Sequence, residues 1–141
     1  MSPETLIYTA EMVSTAGRDG RSNRPDGSFP LKLTVPEALG GPGGEGTNPE
    51  ELFAAGYSAC FIGALKVAGR QAKQPVPEDV QVTAKVGIGK VETGYGLAVE
   101  LIVDLPGMDR DTAQSLIEQA HRTCPYSNAT RGNIDVKLTL A

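Results

Sequence analysis

TNPEELFAAGYSACFIGALKVAGR, residues 47–70, reads as one long helix with a cysteine near its middle. Thr47 and Asn48 are capping types, Pro49 suits the first helical position, and Glu50 and Glu51 put negative charge at the positive helix end. Leu52, Phe53, Gly56, Cys60, Gly63, Ala64 and Val67 recur at helical spacing and predict a buried stripe. Cys60 lies on that stripe and is expected to face protein. Ala55, Gly56, Ala59 and Gly63 make the same side small, so another backbone is expected to approach there. Without such a reason, each mid-helix glycine costs about 1 kcal/mol relative to alanine.

The flanks supply strands. Leu6–Val13 predicts a first strand, and 17–21 and 24–27 carry turn residues. Phe29, Leu31, Leu33 and Val35 alternate with polar or proline positions, as a half-buried strand does. GGPGGEG, residues 40–46, reads as a flexible loop leading into the helix; it lacks the lysine and hydroxyl ending of a phosphate cradle. Beyond a proline-bearing linker that runs to about Asp79, Val80 to Ile88 and Leu97 to Leu105 alternate around a turn at 92–96 and predict a hairpin. Asp109 or Asp111 can cap a second helix whose face carries Ala113, Leu116, Ile117, Ala120 and Cys124, with Pro125 as its stop. PYSNATRGN, residues 125–133, reads as loop, and Ile134 to Leu140 as a last strand. The order is β-β-β-α-β-β-α-β. With no regular βαβ repeat the class is α+β, in a single domain spanning 1–141.

A net charge of -4 argues against a nucleic-acid or anionic-membrane partner. No apolar run is read as long enough to cross a bilayer, and the N-terminus does not resemble a signal peptide, so a cytoplasmic setting with reduced thiols is expected. Two cysteines, no CxxC and a single histidine speak against a four-ligand structural zinc site, and no metal is expected. Each cysteine lies on the apolar face of its own helix, and two helices sharing one core could bring Cys60 and Cys124 together. Buried cysteines are also ordinary small hydrophobes, and that reading stays open. A reactive cysteine must be a thiolate, yet burial raises its pKa. Cys60 is too deep in its helix for the helix end to help. The activator is His121 or one of the loop arginines Arg18, Arg21, Arg24 and Arg131; residue types alone do not choose among them.

Three stretches carry a resemblance: TAGRDGR at 15–21, TNPEELFAAGYSACFIGAL at 47–65 and HRTCPYSNATRGNIDV at 121–136. Together they resemble the organic hydroperoxide resistance (Ohr) branch of the Ohr/OsmC superfamily, over nearly the whole chain. The resemblance implies a cysteine-based peroxidase that reduces organic hydroperoxides, fatty-acid ones included, to alcohols. It implies Cys60 as the peroxidatic cysteine, Cys124 as the resolving one, Arg18 as the catalytic arginine, and Glu50, rather than Glu51, as the carboxylate that holds it. It further implies an intertwined homodimer with no bound cofactor, re-reduced by dihydrolipoyl groups of lipoylated proteins. Phe53 and Met108 are candidates for the substrate wall, with ordinary core the reading their residue types favour.

Overall fold

The structure, a computed structural model, describes residues 1–141. The chain forms two compact units, Met1–Leu52 and Phe53–Ala141, with the division falling near the start of the long helix.

In the first unit β1 (Val13–Thr15), β2 (Arg21–Asn23) and β3 (Leu31–Lys32) form an antiparallel sheet in which Ser22 pairs with both Ser14 and Leu31. The expected strand over Leu6–Val13 is not formed: β1 begins at Val13, and Leu6, Ile7 and Tyr8 are exposed. Residues 6–12 find no neighbouring strand within the chain, and a strand exists only where its backbone groups are paired. The second alternating run is also shorter than its pattern: after β3, Leu33 continues as an isolated parallel bridge to Thr47. The glycine-rich loop is tied down rather than free. Gly43 donates its amide to Val35 O at 2.9 Å and accepts from Thr34 Oγ1 at 2.7 Å, and the Gly41 amide is bound to Pro36 O.

Helix α1 spans Pro49–Gln71. Asn48 caps it, its Oδ1 accepting from the Glu51 amide at 2.8 Å, and Pro49 takes the first position as its fixed φ favours. The fully buried stripe runs through Tyr57, Phe61, Leu65 and Ala68; of the positions expected, Phe53, Cys60 and Ala64 pack against the core only partly buried. Leu52, Ala55, Ala59, Gly63 and Val67 are exposed, and Cys60 sits half-buried on the flank. The helix is apolar nearly all round, so periodicity alone does not select the side that meets the core. By length and composition α1 could cross a bilayer, contrary to expectation. Its buried side chains nevertheless join those of the sheet and the second helix in one core, which is the packing of a core helix.

The second unit is built on β4 (Gln81–Val91) and β5 (Gly94–Asp104), an antiparallel hairpin paired from Gln81↔Asp104 to Val91↔Gly94, with β6 (Val136–Leu140) parallel to β5. Val99, Leu101 and Val103 of the central strand β5 are buried. Helix α2 (Arg110–Thr123) is capped by Asp109, whose side chain accepts from the Thr112 amide, and buries Ala113, Leu116, Ile117 and Ala120, the face expected of it. The class is α+β, as the sequence predicts. One element departs from the predicted order: residues 125–130, expected as loop, form helix α3 (Pro125–Thr130). Proline disfavours helical geometry in the residue before it, so Cys124 is extended (φ -63°, ψ 128°), and Pro125 then opens a new helix at its first position. A proline that ends one helix can begin the next.

Candidate active site

The sequence singles out four residues, and the structure places them as two pairs, one in each unit. Helix α1 carries a member of both: Glu50 in its first turn and Cys60 ten residues on.

In the second unit Cys60 on α1 and Cys124 at the α2–α3 junction bring their sulfurs to 3.7 Å. Both are free thiols, Cys60 half-buried and Cys124 fully enclosed. The half-open sulfur can meet a small molecule, while the enclosed one can meet only its neighbour. Burial pushes the Cys60 thiol above its ordinary value, and the adjacent Cys124 pushes it the same way. The Tyr126 backbone N–H, in the first turn of α3, pulls against that rise. Within this unit, then, the surroundings of Cys60 favour the thiol over the thiolate.

In the first unit Arg18 occupies a short 3-10 turn, Gly17–Asp19, between β1 and β2. The turn is entered through Ala16 and Gly17 at φ 68° and 83°, left-handed values that glycine adopts without cost. Arg18 meets Glu50 with two parallel bonds, Nη1 to Oε2 at 3.0 Å and Nη2 to Oε1 at 2.6 Å. Arg18 holds the Glu50 carboxyl below the usual carboxylate range, chiefly through those hydrogen bonds. Glu51 is engaged elsewhere, accepting from Thr47 Oγ1 at 3.0 Å. Of the other arginines considered, Arg24 donates to Ser28 Oγ and lies over the Phe29 ring, and Arg131 donates to His121 O and Asn128 Oδ1. No cluster of three His, Cys, Asp or Glu side chains is placed to hold a metal ion.

Sequence reasoning missed the aromatic group beside Cys60. Phe53, Tyr57 and Tyr126 pack with ring centroids 5.6 to 6.2 Å apart. Gly56 makes room for it: a Cβ there would stand 2.5 Å from the Tyr126 hydroxyl. The close approach expected at the small residues is therefore made at Gly56 by a side chain, while nothing lies within 4 Å of a Cβ at Gly63. Phe53, Gly56 and Cys60 follow one another at helical spacing, a signal visible in the sequence; that Tyr126 fills the gap was not. Phe53 borders this group, whereas Met108 lines an open cleft of about 300 Å³ with Gln74, Pro75, Pro77 and Asp109.

Residues 41–139 match the model of the OsmC family, described as OsmC-like protein. That span contains Glu50 and both cysteines; Arg18 lies outside it. The chain is 54% identical over 140 residues to the organic hydroperoxide resistance protein of Xanthomonas axonopodis pv. citri, covering 99% of each. It is 42% identical over 136 residues to the organic hydroperoxide resistance protein OhrB of Bacillus subtilis, covering 95% of this chain and 98% of that one. Among solved structures, an organic hydroperoxide resistance protein from Elizabethkingia anophelis superposes with a TM-score of 0.89 at 49% identity over 99% of both chains. The crystal structure of Bacillus subtilis OhrB superposes with a TM-score of 0.86 at 40% identity, over 96% of this chain and 100% of that one. The chain belongs to the OsmC-like family and, within it, to the organic hydroperoxide resistance proteins.

Proposed function

We propose that the protein is a cysteine-based peroxidase that reduces organic hydroperoxides, fatty-acid ones included, to alcohols and so defends the cell against oxidative stress. The observation that carries this reading is the sulfur pair: a half-open Cys60 thiol 3.7 Å from an enclosed Cys124 thiol. The names of the Xanthomonas axonopodis and Bacillus subtilis relatives, organic hydroperoxide resistance proteins, support the substrate class.

In this reading the Arg18 guanidinium stabilises the Cys60 thiolate, and Glu50 fixes the guanidinium through its two-toothed pair. The thiolate attacks one peroxide oxygen and the O–O bond breaks. The leaving alkoxide, stabilised by the same cation, takes a proton and departs as alcohol. Cys60 is left as a sulfenic acid. The Cys124 sulfur then attacks the Cys60 sulfur; the S–O bond breaks and the hydroxide leaves as water with the Cys124 proton. A dihydrolipoyl group of a lipoylated protein reopens the disulfide by two thiol exchanges and is itself oxidised to the cyclic disulfide.

The protein acts as an intertwined homodimer in the cytoplasm, with no bound cofactor. The exposed apolar surface supports the dimer: Leu6, Ile7 and Tyr8 are 69%, 100% and 81% exposed, and α1 leaves Leu52, Ala59, Gly63 and Val67 uncovered. Exposed apolar residues grouped in this way on each unit fit a binding face. Purified protein supplied with dihydrolipoamide should consume tert-butyl hydroperoxide through many turnovers. No consumption, or one oxidation per chain with no further turnover, would remove the peroxidase reading in favour of a redox sensor or an inert dimer.

A further inference from the structure

One turn before each cysteine lies a polar side chain that the chemistry above does not use: Tyr57 precedes Cys60 on α1, and His121 precedes Cys124 on α2. Ser127 of α3 joins them. Its Oγ is 2.8 Å from Tyr57 Oη and 2.8 Å from His121 Nδ1, and Tyr57 Oη is also 3.2 Å from Thr130 Oγ1. Tyr57 and Ser127 are fully buried and Thr130 nearly so.

The proton inventory gives the network one direction. The Thr130 hydroxyl donates to the Ser127 carbonyl at 3.2 Å, so its single proton is used. Tyr57 must then donate to Thr130, Ser127 must donate to Tyr57, and His121 must donate from Nδ1 to Ser127. Reversing any one bond leaves another unmade. The chain begins on α2, passes through α3 to α1 and returns to the α3 backbone. Arg131 adds a second clasp, donating to the His121 carbonyl on α2 and to Asn128 on α3. Cys124 sits between the clasped elements, its amide bound to Ala120 O and its carbonyl to the Asn128 amide.

We propose that the His121–Ser127–Tyr57–Thr130 hydrogen-bond chain positions Cys124 against Cys60, so that these four residues govern disulfide closure rather than the first oxidation. They touch neither sulfur through a hydrogen bond and act as positioning residues. Two cross-links then join α1 to the α2–α3 corner one helical turn apart: the sulfur pair, which opens and closes, and the hydroxyl–imidazole chain, which stays.

The native oxidant rests on the peroxidase reading, but closure does not, because diamide also drives it. The Cys60 thiolate adds to the diamide N=N bond, the Cys124 sulfur displaces the resulting hydrazine, and both thiol protons end on that hydrazine. Three variants of the full chain test the proposal: Tyr57→Phe, which keeps the ring and removes only the hydroxyl; His121→Ala; and His121→Asn, whose amide N–H can take the Nδ1 place. Dimedone trapping reads the first oxidation by tert-butyl hydroperoxide, and loss of both free thiols reads closure with either oxidant. Losing one buried hydrogen bond should slow closure about tenfold in His121→Ala, and Tyr57→Phe, which loses two, should slow it at least as much. Trapped sulfenic acid should rise while the first oxidation stays near the wild-type rate, and His121→Asn should recover most of the loss. Closure at the wild-type rate in both Tyr57→Phe and His121→Ala would overturn the proposal, as would an equal fall in both steps accompanying a lowered melting temperature. If wild type ignores the hydroperoxide yet closes with diamide, and Tyr57→Phe closes slowly, the peroxidase reading fails and the positioning role stands. If wild type turns over and both Tyr57→Phe and His121→Ala close normally with both oxidants, the reverse holds.

Discussion

Among residues 1–52 only Ser22 and Leu33 are buried, whereas residues 53–141 gather Tyr57, Phe61, Leu65, Leu101, Val103 and Ile117 into a dry core. The two pairs of candidate residues inherit that contrast. Cys60 and Cys124 are held by helices whose buried faces meet in the core. Arg18 projects from an exposed turn, its side chain 43% exposed, and is held by a bidentate contact to the end of a helix. A segment with few buried contacts opens at low cost, while a side chain on a packed core opens only with the core. The sulfur pair is therefore a fixed geometry, and the arginine is an adjustable charge. Substitution of Arg18 should alter reactivity with little effect on the fold.

The largest effects should come from the fixed half. Cys60→Ser should abolish hydroperoxide consumption, and Cys124→Ser should allow one oxidation of Cys60 and then stall, with sulfenic acid trapped by dimedone. If Cys60→Ser still consumes hydroperoxide while Cys124→Ser does not, the roles of the two sulfurs are reversed.

The charged half should give graded effects. An opposite charge near an ionisable group shifts its pKa by about 1–3 units, so Arg18→Ala should slow the first oxidation at neutral pH by about tenfold to a thousandfold. Glu50→Ala should cost less, since it orients the guanidinium and does not meet the peroxide. A larger loss from Glu50→Ala than from Arg18→Ala, measured by stopped-flow oxidation, would contradict that order.

The smallest effects are on stability against pH, and each unit has its own. Arg18 depresses the Glu50 carboxyl in the folded state. The contribution of the pair is therefore present above the unfolded value of about 4.3 and is lost as pH falls through the folded one. His121 is depressed by burial first and by the nearby Arg131 second. Its neutral form contributes fully above about 6.5, and that contribution is lost as pH falls through the folded value. Thermal melts should show His121→Asn flattening the fall just below pH 6.5 and Glu50→Gln flattening the one below pH 4.3. A wild-type slope near pH 6 that His121→Asn leaves unchanged would rule out the histidine as its source.

The same contrast explains what the sequence made legible. Helix α2 has a polar side and an apolar side, so its buried face could be read directly, with Cys124 at its end. The β4–β5 hairpin follows its alternation equally well. Helix α1 is apolar on nearly every side, and the pattern pointed to Gly56, Gly63 and Val67 where the core takes Tyr57, Phe61 and Leu65. Residues 6–12 have strand composition but no partner strand in their own chain; pairing begins only at Val13. Pro125 was read as an end and is also a beginning. The two cysteines could be placed on helix faces from residue spacing, but their 3.7 Å separation depends on the α2–α3 corner and could not. Arg18 could not be separated from Arg21, Arg24 and Arg131 by residue type; the family resemblance singled it out, and the structure shows it held by Glu50 while Arg24 and Arg131 are bound elsewhere.

The central claim is that the Arg18 cation keeps Cys60 ionised against the upward push of burial. The most direct test is the pH dependence of Cys60 thiolate absorbance, measured in a Cys124→Ser background so that only one sulfur titrates, with Arg18 present and with Arg18→Ala. The account predicts a Cys60 pKa below the ordinary thiol value of about 8.5 with Arg18 and above it without. Coincident titration curves for the two proteins would contradict it.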